Sequence, residues 1–231
     1  MHSKTKSMLR LAALGLSAAL FATVAQAQLM IDGKLTGNFT NALGPNDSMF
    51  NAPDGSSAWF KSGIPYTDDS VPTQIAFTQK NFAGVSGGLV ADEIFQITNG
   101  RNHGGSTSSS AAFDLWVTLT APEAYTSLLT PISFMIENTE NVGGLINDNY
   151  TITAGPIAPF IYAGHYVQFE FVAPEWITIA ENQTASAGAL YVSFTPVPEP
   201  STYAAIGAAL LVGVIGFRTY RRRQSEAAAV A

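Results

Sequence analysis

The sequence predicts an all-β protein, an antiparallel two-sheet β-sandwich of jelly-roll type, and three observations carry that prediction. Apolar side chains recur at every second position through the middle of the chain, the period that places them together on one face of a strand. Turn formers punctuate these runs, among them Asn99-Gly100, Gly143-Gly144, Asn147-Asp148-Asn149 and Gly155-Pro156. No long stretch of the region 28–196 shows the apolar period of a helix. Two continuous apolar segments, 11–24 and 203–217, lie outside this pattern, one near each end of the chain.

The first of them follows Lys4, Lys6 and Arg10 and closes on Ala25-Gln26-Ala27. A basic start, a short apolar run and a small-x-small triplet predict a secretory signal peptide over 1–27. The run is short for a full membrane span of about 20 residues. The cationic start stays on the cytoplasmic side while the apolar run enters the Sec translocon. The small side chains of Ala25 and Ala27 then fit the narrow subsites of signal peptidase, leaving Gln28 as the first mature residue.

From Gln28 onward the pattern predicts strands over 29–39, 74–79 and 93–98. Phe113, Leu115, Val117 and Leu119 then alternate with Asp114, Trp116, Thr118 and Thr120. Ile132, Phe134 and Ile136 form the next set, followed by a strand over 149–153, the set Val167, Phe169 and Phe171, a strand over 176–180, and the set Leu190, Val192 and Phe194. About nine short strands in all suit a sandwich. A barrel in the outer membrane would need many more segments of about ten residues. The region 41–69, rich in Pro, Gly, Ser, Asn and Asp, predicts long surface loops with a short strand near Trp59-Phe60. The polar run 101–110 predicts a flexible loop tip.

The C-terminal segment reads Val197-Pro198-Glu199-Pro200-Ser201, then the apolar stretch 203–217, then Arg218, Arg221, Arg222 and Arg223. The prolines interrupt regular structure before the apolar stretch begins. That stretch is near the lower limit for a transmembrane helix. Tyr203 and Tyr220 fall where interfacial aromatics belong, and the arginines form a cytoplasmic flank, which makes 224–231 a cytoplasmic tail. An ordinary single-span tail anchor has the same outline. In this order, Val-Pro-Glu-Pro-Ser, apolar helix and Arg-Arg-Arg resemble the PEP-CTERM sorting signal of Gram-negative bacteria. The resemblance implies that Pro198-Glu199-Pro200 is recognised by a membrane-embedded exosortase, that the anchor is removed, and that the domain passes to the cell surface or an exopolysaccharide matrix. The expected organisation is therefore a signal peptide over 1–27, a β-sandwich over 28–196, the sorting signal over 197–223 and the tail over 224–231.

The formal charge of −6 hides a division. Between residues 28 and 200 stand four basic side chains, Lys34, Lys61, Lys80 and Arg101, against sixteen acidic ones, a net of −12. The remaining basic residues flank the two apolar segments and serve topology. An acidic domain repels phosphate backbones, which argues against a nucleic-acid partner. The chain has no cysteine, so disulfides, thiol catalysis, iron–sulfur clusters and Cys-type zinc sites are excluded.

The mature region also resembles the choice-of-anchor K domain, a family of exported bacterial domains that occur with different C-terminal anchors. The resemblance rests on Gly33-Lys34-Leu35-Thr36-Gly37-Asn38-Phe39, on Ile75-Ala76-Phe77 with Phe82, on Phe95-Gln96-Ile97-Thr98-Asn99-Gly100, on the strand over 113–120 and on Ile136-Glu137-Asn138-Thr139-Glu140-Asn141. It covers nearly all of 29–196. That family supplies no established catalytic residues, so none carry over.

Chemistry-bearing residues are sparse. His103 sits in the Gly/Ser loop and His165 precedes a strand. His103, Ser106 and Asp114 could be assembled into a triad, but there is no Gly-x-Ser-x-Gly elbow, nor a P-loop or a His-Glu-x-x-His helix. Asp92, Glu93, Asp114, Glu137 and Glu170 could supply paired carboxylates for glycoside hydrolysis. A solvated sheet face accounts for Asp114 and Glu170. Oxygen-rich segments at 46–48, 54–56, 67–70 and 147–149 could hold calcium, though their spacing matches no EF-hand and turns favour the same residues. The reading assigns no catalytic residue, metal ligand or resident cofactor, with calcium as the alternative. Trp116 lies on the polar face of its strand and is the candidate ligand contact, with Trp59, Tyr66 and Tyr125 in or near loops. The size of Trp116 favours the opposite placement, between the sheets or under a loop.

Taken together, the sequence predicts a non-enzymatic surface or extracellular-matrix protein with a structural or adhesive role in exopolysaccharide or biofilm. The alternative is a lectin-like carbohydrate-binding module, and a secreted glycan-active enzyme ranks third. N-terminal sequencing of the exported protein should begin at Gln28, and a start at Met1 would remove the signal peptide.

Overall fold

The structure is a computed structural model that describes residues 28–44, 46–64, 72–102, 108–137, 147–198 and 200–228. The signal peptide, including Ala25 and Ala27, lies outside the described residues, and Gln28 is exposed. Residues 29–195 form one compact unit, and the segment from Pro196 onward falls in a second.

The first unit is all-β and antiparallel. Among the described residues its strands are β1 (Ile31–Leu43), β2 (Ser48–Asn51), β3 (Ser57–Ser62), β4 (Thr73–Thr78), β5 (Lys80–Val85), β6 (Gly88–Ala91), β7 (Phe95–Thr98), β8 (Ser108–Ala121), β9 (Tyr125–Glu137), β10 (Asn147–Ala154), β11 (Phe160–Tyr162), β12 (His165–Val172), β13 (Trp176–Ala180), β14 (Thr184–Ala187) and β15 (Ala189–Pro196). They make a six-stranded sheet in the order β13-β10-β9-β8-β1-β5, a five-stranded sheet β14-β7-β4-β3-β2 and a four-stranded sheet β11-β12-β15-β6.

The alternation predicted for each long strand is the alternation found. Phe113, Leu115, Val117 and Leu119 are buried while Asp114, Trp116 and Thr118 face outward. Ile132, Phe134 and Ile136 on β9 and Tyr150 and Ile152 on β10 complete the inner face of the six-stranded sheet. The five-stranded sheet turns Phe60, Ile75, Phe77, Phe95 and Ile97 inward, and the four-stranded sheet Val167, Phe169, Leu190 and Val192. The result is sandwich-like, with one contiguous apolar core. Phe95 is at its centre: its ring meets Phe113 at 5.0 Å and 89° and Phe134 at 4.9 Å and 77°. These are the edge-to-face arrangements that the ring quadrupole favours.

The sequence underestimates the strand count because β2, β6, β11 and β14 are too short to display a period. The region 41–69 is the clearest case. Its described residues hold the end of β1, the hairpin of β2 with β3, where the short strand near Trp59-Phe60 is expected, and the tight turn between them. Asn51 explains the order. Its side chain accepts from Phe39 N–H at 2.7 Å and donates to Phe39 C=O at 2.9 Å, and Gly37 N–H donates to Gly55 C=O at 3.0 Å. β5 pairs with β1 only as far as Leu35, so Asn51 and Gly55 satisfy the backbone of β1 beyond that point. Gly55 itself has φ of +67°, a conformation that glycine adopts without a steric penalty.

Two further expectations are corrected. Trp116 is not between the sheets or under a loop: it is 36% exposed on the outer face of the six-stranded sheet. Its place in the alternating β8 pattern fixes its direction more firmly than its size does. Trp59 falls in β3, where the short strand is expected, and Tyr125 opens β9 beside the turn. The transmembrane helix expected over 203–217 is corrected too. A helix, α1 (Pro200–Ala228), does form, but among the described residues no helix is long and apolar enough to cross a membrane. Arg218 ends the apolar stretch and Arg221 and Arg222 follow. The apolar stretch 203–217 reaches about 23 Å at 1.5 Å per residue, against a hydrocarbon core of about 30 Å. Tyr203 lies among the side chains outside the description.

Two substitutions test the packing. A Cβ on Gly37 would collide with the Phe113 ring and lie 2.7 Å from the Asp114 carbonyl. Gly37→Ala should therefore cost about 1–3 kcal/mol, the range for overpacking. Phe95→Ala should cost about 3–5 kcal/mol. Denaturant unfolding measures both, and a Phe95→Ala variant as stable as the parent would contradict the central place of that ring.

Candidate functional site

At the C-terminal segment, β15 ends at Pro196, Pro198 is exposed, and α1 begins at Pro200. Glu199 lies outside the described residues. The chemistry of this spacing is direct. Pro198 cannot continue a strand ladder. Pro200 is suited to a first helical turn, where its fixed φ fits and its missing N–H costs nothing. Beyond it, Ile206, Leu210, Leu211, Val212, Val214, Ile215 and Phe217 are all exposed. A helix apolar on all sides normally has protein or lipid around it. Arg218, Arg221 and Arg222 are exposed at the end of that stretch, with the Arg221 guanidinium over the Phe217 ring at 5.8 Å. The side chain of Arg223 lies outside the described ones.

The polar groups of the β unit are mostly committed to structure. Ser62 Oγ donates to Ser109 Oγ at 2.7 Å, and Ser109 Oγ donates to Asp47 Oδ1 at 2.9 Å. Asn102 Nδ2 and Gly100 N–H donate to Thr73 Oγ1, and Asn99 Nδ2 donates to Ile179 C=O at 2.7 Å. Glu181, buried, pairs with Arg101 at 3.3 Å. These contacts tie the ends of β2, β3, β4, β7, β8 and β13 together. Burial pushes the Asp47 carboxyl above its ordinary value, with the bonds from Ser109, Gly63 and Ser62 opposing the shift. Burial, and secondarily Asp148, push the Tyr150 phenol far above its usual range.

The sequence-predicted catalytic and metal candidates are not gathered. His103 and Ser106 lie outside the described residues, and His165 bonds through Nδ1 to Ala163 C=O at 2.9 Å. Asp92 accepts from Glu93 N–H at 2.8 Å in the turn after β6, Asp114 and Glu137 belong to the six-stranded sheet, and Glu170 is exposed on β12. Of the oxygen-rich segments, 67–70 lies outside the described residues. Asp54 Oδ1 accepts from Ser56 N–H at 3.1 Å, and Ser56, with a smaller contribution from Lys34, holds that carboxyl below its ordinary value. Asn149 Oδ1 accepts from Thr178 at 2.9 Å. Among the described residues no group of three or more His, Asp and Glu is placed to hold a metal ion.

Trp116 stands between Thr36 and Leu128 at a register shift between β8 and β9. A more developed aromatic surface lies elsewhere. Phe50 on β2 stacks on Trp59 of β3 at 5.8 Å and 21°, and Lys61 Nζ sits 4.4 Å from the Trp59 ring centroid. The sequence predicts a strand at Trp59 but not β2, and so not the pairing that makes this trio. The signal that could have found it is the alternation Ala58, Phe60 and Ser62 against Trp59 and Lys61.

The family of PEP-CTERM protein-sorting motifs matches residues 196–223. The match begins past the strands that carry the choice-of-anchor K resemblance. No curated protein matches the chain. The motif marks an exported surface protein, processed by an exosortase from a membrane-anchored precursor.

Asp47 gives a pH signature. Its folded pKa is raised above the ordinary 3.8, so its stabilising contribution is fully present below that value and is lost as pH rises through the folded one. The thermal midpoint of the parent relative to Asp47→Asn should therefore fall as pH is raised from about 3 to about 7. A difference that does not change over this range would contradict the burial assigned to Asp47.

Proposed function

We propose that the exported protein is a non-enzymatic structural or adhesive component of a cell-surface exopolysaccharide matrix. The observation that carries this reading is the sorting motif at 196–223, placed directly after a compact β unit. The polar network of that unit supports the non-enzymatic part. Ser62, Thr73, Asn99 and Ser109 are buried and hydrogen-bonded to neighbouring strands, so they brace strand ends and do not converge on a cleft. A second reading, a lectin-like carbohydrate-binding module, is favoured by one observation: the Phe50, Trp59 and Lys61 trio on an outer sheet face.

Sorting and matrix residence are tested together. Replacing Pro198 and Pro200 by Ala should leave a heavier, uncleaved form in the membrane fraction, while the parent reaches the surface as a shortened product. Enzymatic removal of surface polysaccharide should then release the parent into the medium. Surface protein that stays in place after the polysaccharide is stripped would overturn the matrix role and leave the sorting step standing.

A further inference from the structure

We propose that a trough on the outer face of the six-stranded sheet binds a neutral polysaccharide chain; this rests on the matrix reading above and names a contact surface for it. The register of the sheet sets side chains from five strands in one outward row. Trp176 of β13, Thr151 of β10, Met135 of β9, Ser110 of β8 and Leu43 of β1 are successive partners. Thr153, Ser133, Ala112 and Thr40 are successive partners in the row beside it. Strands about 4.8 Å apart make the first row roughly 19 Å long, enough for several sugar units of an extended chain.

Residues of both rows line a trough of about 370 Å³, within the range of sites that take small ligands, about 300–1,000 Å³. Leu43 and Met135 give it apolar surface, and Ser110, Ser133, Thr151 and Thr153 give it hydroxyls. Asn41 adds an amide, and a bulge sets its place. The pairing of β1 with β8 shifts register between Thr40 and Leu43, and Asn41 has φ of +52°. A bulge re-aims the side chains of its strand, and asparagine is among the few residues that accept a left-handed backbone. Trp176, 65% exposed, extends the row past the trough as a broad apolar ring on the edge strand.

The lining selects the class of ligand. Apolar and hydroxyl-bearing side chains alternate along the first row, and a sugar ring likewise presents C–H patches between hydroxyls. Hydroxyls and an amide both donate and accept, which suits partners that do the same. Among the described residues lining the trough none is ionisable, so a charged polymer finds no counter-charge there. Asp114 and Glu137 stand one row further out, one on each side. At that distance they repel a polyanion, while their oxygens can accept from the hydroxyls of a neutral chain. A protein partner would call for a contiguous apolar centre, and here hydroxyls separate Leu43, Met135 and Trp176.

Equilibrium binding of the protein purified from the cell surface tests this, with dextran, laminarin and galactomannan as neutral polymers and alginate and chitosan as charged ones. The parent should bind at least one neutral polymer, more tightly than either charged one. Its affinity should change less than about twofold between about 0.05 and 0.5 M salt. Trp176→Ala should weaken that binding about tenfold. Ser133→Tyr, which fills the trough, should abolish it. Asn41→Gly, which keeps the bulge and removes the amide, should weaken it about threefold. Tyr191→Ala, at an exposed position of the four-stranded sheet, should leave it unchanged. Unaltered thermal midpoints for Trp176→Ala and Asn41→Gly separate binding from folding. Binding to no neutral polymer, tighter binding to alginate or chitosan, or neutral binding indifferent to Trp176, Ser133 and Asn41 would overturn the proposal. Neutral binding lost with Trp59→Ala and kept with Trp176→Ala would move the sugar site to the Phe50 and Trp59 face. Should the protein be released from cells by polysaccharide removal in any of these cases, the matrix role stands and only this trough is wrong.

Discussion

The contact among Phe39, Phe77, Phe95, Phe113 and Phe134 is the constraint on which the β unit depends. These side chains come from strands of two sheets, β1, β8 and β9 on one side and β4 and β7 on the other. Their rings meet at centroid distances from 4.8 to 6.1 Å. Without disulfides to close the fold, burial of this kind is what offsets the conformational entropy of ordering the chain. The rings also dictate nearby sequence. Gly37 has no side chain because the Phe113 ring occupies the place of its Cβ, and Gly33 likewise faces the Thr118 carbonyl and Phe82. The Gly-x-x-x-Gly spacing at the start of the domain is thus a packing feature of β1 against β8 and β5.

Around that apolar centre the polar residues divide between two tasks. Those at the strand ends, Ser62, Thr73, Asn99, Ser109 and Glu181, are buried and bonded, which fixes where each strand stops. At the other turns, Tyr162 both accepts from Glu123 N–H and donates to Glu123 C=O, while Glu123 Oε1 accepts from Ala163 N–H. Side chains that bond to backbone in this way act as staples, and they leave the outer sheet faces as the surfaces on which recognition can be built.

How far the sequence revealed this structure depended on strand length. β8, β9, β10, β12, β13 and β15 are long enough to show their alternation, and each appeared where the pattern placed it. Even Asp114 and Glu170 were legible as outward residues. Most of the shortest strands were not, β7 excepted, because a four-residue element such as β2 or β14 contains no more than two repeats of the pattern. In the hairpin at 48–62, β3 was expected near Trp59-Phe60, and β2 was hidden for a second reason. Its order comes from Asn51 bonding to Phe39, twelve positions away, and composition alone makes an Asn-, Gly- and Ser-rich stretch look like loop. The sorting segment was the opposite case: its order of prolines, apolar stretch and arginines is local, and it was readable without any fold. The expected membrane span was less secure because arginines close it off so soon after it begins.

The side-chain clamp of Asn51 has a consequence for a protein released among many copies of itself. The half of β1 beyond Leu35 would otherwise present bare N–H and C=O groups, the template on which neighbouring chains zip together. An amide that mimics a peptide unit occupies that template from within the same molecule. The domain thereby blocks, from within its own chain, an edge on which another strand could otherwise pair.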